Sequence, residues 1–183
     1  MSAASHAAQL KLNHVLLEKT DHLSDTIYKY QKGKHVMATP SNLVLRADLD
    51  FDAGARETIL GLWDQGISAG AVNVRYNAEV TAITGDKGDF TIAIKGGEPV
   101  LAQNVVLAIG TQGNPNLLRV PGGNMAHVQY QLNDPGEYFD EHITIVGSGD
   151  AGIENALGLA ADPAQRNVVT ILNRTSDFSR AKA

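Results

Sequence analysis

Residues 142–161 leave this chain little freedom of fold. The run His142-Ile143-Thr144-Ile145-Val146 reads as a strand. It enters Gly147-Ser148-Gly149-Asp150-Ala151-Gly152 and continues into a small-residue helical pattern over 151–161. A second apolar strand follows at 168–172, which closes a βαβ unit. A bare G-x-G-x-x-G says little, but this one leaves a strand, opens a helix and precedes a second strand, the context in which the motif has a mechanism. Gly147 is expected to make the tight turn, Gly149 to let the backbone approach a pyrophosphate, and Gly152 to let helix pack closely on strand. Ser148, Asp150 and Ala151 complete the loop and the helix N-terminus, whose N–H groups suit an anion. A βα turn without a ligand would carry the same glycines.

The position that selects between nicotinamide nucleotides lies at the end of the second strand, about 20 residues beyond the third glycine. NAD sites place Asp or Glu there, whereas this sequence has Asn173-Arg174-Thr175. The missing carboxylate, with Arg174 and Arg180 available for a 2′-phosphate, favours NADP over NAD. Solvated surface arginines would look the same. A second candidate is Glu18, which ends the short strand 14–18 after the small-residue helix expected over 2–12, with Asn13 as terminator. If a glycine turn preceded Met1, Glu18 would stand about 20 residues on, where a ribose-binding acid belongs. The alternative is a surface glutamate.

Between these points the pattern predicts helical turns over 23–31, a long connection over 32–50 and a helix over 53–65 stopped by Gly66. Strands over 71–76, 78–84 and 90–95, with another from Val100, alternate with the turns 85–88 and 96–97 and read as a β-meander. Residues 103–109 lack alternation and read as a buried strand ending at Gly110, followed by a connection over 111–140.

Composition narrows the function classes. At 43% hydrophobic and 19% charged residues, the 183-residue chain is a folded protein. A net charge of −5 without a basic run argues against nucleic acid and anionic lipid. No apolar run reaches membrane-spanning length and the start lacks a signal-peptide layout, so a cytoplasmic protein is expected. With 0 cysteines, these residues supply no disulfide, thiolate metal site or cysteine nucleophile. No metal is expected.

Together these pieces resemble the two-dinucleotide-domain flavoproteins, the thioredoxin-reductase-like and pyridine-nucleotide-disulfide-oxidoreductase superfamily. SAASHAAQLKLNHVLLEK is similar to the first helix and second strand of the FAD domain, and residues 72–101 to its inserted sheet. Asn104-Val105-Val106-Leu107-Ala108-Ile109-Gly110 resembles the strand and turn that close that domain. Asp134-Pro135-Gly136-Glu137-Tyr138, leading into ITIVGSGDAGIENALGLA, is similar to the NADPH-domain entry of ferredoxin–NADP reductase-like and bacillithiol-disulfide-reductase-like members. Residues 171–180 resemble their NADP phosphate loop.

The resemblance implies an α/β fold: an incomplete, three-layer FAD/NAD(P)-binding Rossmann-like domain with an inserted meander over 1–118. The first βαβ of a second Rossmann-like domain would follow over 119–183. It implies that Glu18 binds the adenosine ribose of FAD, that Val80 meets the adenine through its backbone, and that Ala108-Ile109-Gly110 lies beside the flavin nucleotide. Gly147, Gly149 and Gly152 would hold the NADP pyrophosphate. Residues 34–37 would pass near the isoalloxazine, or simply pack as loop. The FAD domain's first strand, its glycine loop and its late Gly-Asp motif have no counterpart in the sequence, and the second domain stops after two strands, so a fragment is expected. Its parent would pass hydride from NADPH to flavin and on to an unknown acceptor, with no side chain needed as acid or base. A nucleotide-binding remnant without turnover is one alternative. A flavin-free dehydrogenase is another, against which the meander and the 32–50 connection argue. Uncovered apolar edges lead us to expect a homo-oligomer.

Overall fold

The computed structural model describes residues 1–38, 49, 51–110, 113, 115–176 and 178. In chain order its elements are α1 (Ser2–Gln9), β1 (Leu16–Leu17), α2 (Asp25–Tyr28), β2 (His35–Val36), β3 (Gly54–Ala55), α3 (Arg56–Ala69), β4 (Val74–Arg75), β5 (Val80–Asp86), β6 (Asp89–Ile94) and β7 (Val100–Ala102). A 3₁₀ turn (Pro135–Glu137), β8 (His142–Val146), α4 (Asp150–Ala160), a second 3₁₀ turn (Pro163–Gln165) and β9 (Val168–Leu172) complete the order. The chain divides into two units, Met1–Lys29 with Gly33–Asn116, and Tyr30–Lys32 with Leu117–Ala183.

In the first unit, six of the eight residues of α1 are Ser or Ala, and Ser5 is buried. The chain turns at Lys11, whose φ is +56°, rather than at Asn13. β1 pairs in parallel with β4, Leu16 opposite Val74 and Leu17 opposite Arg75. His14 ties the entry of this pair: its Nε2 accepts the Asn73 N–H at 3.2 Å, and its carbonyl accepts from Asn73 Nδ2 at 2.9 Å. The strand expected over 71–76 therefore belongs to this parallel pair, and the inserted sheet is the antiparallel β5-β6-β7 alone. β5 and β6 meet across a Lys87-Gly88 turn, with Asp86 opposite Asp89 and Gly88 at φ +99°. Alternation along β6 turns Ile92 and Ile94 inward onto Ala78, where Leu17, Phe90, Val100, Ala102 and Val105 pack around them.

Two expectations fail here for physical reasons. The helix over 53–65 does not stop at Gly66: α3 runs on to Ala69 and ends at Gly70. A Cβ at Gly66 would lie 2.6 Å from Leu49 Cδ2, so the glycine makes room for a packed leucine and is no terminator. Residues 103–109 form no strand beyond β7's end, because no other described strand pairs with them. Val105 reaches the core cluster, but Val106 is 73% and Ile109 90% exposed.

In the second unit, β8 and β9 are parallel and in register from His142 opposite Val168 to Val146 opposite Leu172. Ile143, Ile145, Val169 and Ile171 share the half-buried face, while His142, Thr144, Val146 and their partners on β9 are exposed. α4 buries Ala156 and Leu159. The end of the unit opposite the glycine turn is closed by polar groups. Buried Gln165 donates from Nε2 to the carbonyls of Pro135 and Tyr138, and Asn167 Nδ2 to those of Tyr138 and Leu159. Lys32 docks from far upstream, its N–H on the Asn133 carbonyl at 2.8 Å and its Nζ on Asp134 at 3.0 Å. Among the described residues, no helix is long and apolar enough to cross a membrane, and no group of three or more His, Asp or Glu could hold a metal ion.

Candidate functional site

The glycine turn of the second unit is built from conformational demands on single residues. Gly147 follows β8 with φ +111°, a region that favours glycine. Its N–H donates to the Leu172 carbonyl at 2.9 Å, which carries the ladder past the strands and sets Asn173 beside the turn. Ser148 is buried. Gly149 caps α4 in an extended conformation, with no side-chain cap. A Cβ there would meet nothing within 4 Å, so that flank of the backbone is open. Gly152 is the reverse: a Cβ would lie 2.2 Å from the Gly147 carbonyl oxygen, so the helix rests directly on the turn. The first-turn N–H groups of α4, from Asp150, Ala151 and Gly152, lie outside the intrahelical ladder, and the helix dipole adds partial positive charge. A phosphate is the ligand class such an end takes.

Asn173 turns its side chain into its own loop, Nδ2 donating to the Thr175 carbonyl at 3.0 Å and Oδ1 accepting the Arg174 N–H at 3.0 Å. Arg174 is exposed and forms no ion pair with any other described residue. Arg180 lies outside the described residues.

In the first unit, Glu18 prolongs the parallel pair: its N–H donates to Arg75 and its carbonyl accepts from Ala78. Its Oε1 accepts the Thr20 N–H at 3.0 Å. The Thr20 hydroxyl lies 3.1 Å from the same oxygen and 2.7 Å from the His22 carbonyl, and its single proton serves one of them at a time. Val80 opens β5 two residues beyond Ala78, next to a bulge. Ala108, Ile109 and Gly110 are exposed, and a Cβ on Gly110 would stand 3.8 Å from Thr26 Oγ1 of α2. In residues 34–37, His35 and Val36 form β2, which pairs with β3, and Met37 is exposed.

No motif in the sequence marks the cavity of about 360 Å³ found in this unit. Its lining includes four residues with ring side chains, His22, Tyr28, Trp63 and Tyr76, and the acidic residues Asp21 and Asp64. Burial pushes the Tyr76 hydroxyl up, and the negative charges of Asp64 and Glu18 add to the shift, so Glu18 is within electrostatic reach of the cavity. The size falls in the range of small-ligand sites, and four rings suit a planar aromatic ligand. Only the position of residues 21–28 just after a strand could have hinted at it. The rings come from three separate segments with no motif spacing.

The family model for pyridine nucleotide-disulphide oxidoreductases matches residues 1–183. A ferredoxin–NADP reductase of Ignicoccus hospitalis is 31% identical over 94 residues, which is 51% of this chain and 29% of that protein. The ferredoxin–NADP reductase of Albidiferax ferrireducens is 26% identical over 174 residues, 92% of this chain and 49% of the relative. Among solved structures, bacillithiol disulfide reductase Bdr of Staphylococcus aureus superposes with a TM-score of 0.81 at 21% identity. That superposition covers 99% of this chain and 56% of the Bdr chain, and it shows a shared fold. The chain spans about half or less of the length of these proteins.

Proposed function

Because the chain belongs to the pyridine nucleotide-disulphide oxidoreductase family, we propose that it forms part of an NADPH-dependent flavoprotein and carries portions of both cofactor sites. The family carries out NAD(P)H- and FAD-dependent oxidoreduction, with FAD and NADP as its cofactors. In this reading residues 1–118 belong to the FAD side and 119–183 to the NADP side. The observation that carries it is the pairing of an open flank at Gly149 with a contact at Gly152 that admits no side chain. When bound, the nicotinamide supplies hydride and the flavin receives it, for delivery to an acceptor whose nature is open.

The chain's own residues hold and orient. The backbone from Gly147 to Gly152, with Ser148, Asp150 and Ala151, cradles the NADP pyrophosphate. Arg174 and Arg180 meet the 2′-phosphate, and Asn173 leaves that place without a repelling carboxylate. Glu18 accepts the adenosine ribose hydroxyls of FAD, Val80 offers backbone to the adenine, and Ala108, Ile109 and Gly110 border the flavin nucleotide. The cavity whose Tyr76 feels the charge of Glu18 supports an adenosine in this unit. With 0 cysteines, these residues contribute no redox dithiol.

Calorimetric titration with NADPH tests this. Asn is a favourable N-cap residue, and at position 149 its side chain would bond the first-turn N–H groups and fill the open flank. Gly149→Asn is expected to keep or raise the melting temperature while weakening NADPH binding by about tenfold or more. Unchanged binding by a folded variant overturns the assignment.

A further inference from the structure

We draw no further inference here: the strongest candidate, the first unit's cavity lined by residues of α2 and α3, carries nothing more because it belongs to the site already described.

Discussion

Arg174 is the residue on which nucleotide choice should turn. It follows an asparagine whose side chain is folded into its own turn, so neither position offers a carboxylate to ribose hydroxyls. A guanidinium on a phosphate makes charge-assisted, often bidentate bonds of about 1.5–3 kcal/mol, or roughly ten- to a hundredfold in affinity. Arg174→Ala is therefore expected to raise the dissociation constant for NADPH by that factor and leave NADH nearly unchanged. Equal losses for both nucleotides would return Arg174 to the solvated surface. At this scale the glycine turn was legible in the sequence, because each glycine answers a demand made within a few residues of itself. The cavity was not legible: His22, Tyr28, Trp63 and Tyr76 are ordinary residues until the fold gathers them.

Among the elements, β8, α4 and β9 match the spans expected from periodicity to within a residue, since strand alternation, the glycine loop and the helix lie consecutively and need no distant partner. Where a local pattern depended on remote structure the reading failed. Residues 103–109 have the composition of a buried strand but no ladder, and Gly66 looked like a stop because the sequence does not show Leu49 packed against it. The link between the loop after β1 and the β5-β6 sheet was equally hidden. There Glu79 lies 2.8 Å from Lys19 Nζ and 2.9 Å from Lys95 Nζ, and the bonds and charges of the two lysines lower its carboxyl to about 2. A depressed carboxylate contributes stability above its unfolded value, here 4.5, and loses that contribution as pH falls towards 2. The urea midpoints of wild type and Glu79→Gln should accordingly differ slightly at pH 7 and converge as pH falls from about 4.5 to 2. A gap that stays constant would mean that the lysines do not act on stability through Glu79.

For the molecule as a whole, the first concern is solubility. A net charge of −5 opposes association, but Val106, Leu107 and Ile109, all more than two-thirds exposed, form a run that the described residues leave bare. Concentration-dependent self-association is expected by light scattering at micromolar concentration, and Leu107→Lys should reduce it; a wild type that stays monomeric over that range would contradict this. The docking of Lys32 on Asn133 and Asp134 also bears on how the chain is made. The Lys32 side chain finds its partner 102 residues downstream, so on the ribosome residues 30–32 emerge long before anything they can hold. Their flanks at 1–29 and 33–116 can close on each other first, which leaves this short stretch looped out until Asp134 emerges from the ribosome. A pause in synthesis before Asp134 has emerged from the ribosome would prolong the exposure of Gln31 and Lys32, whereas one after its emergence would not.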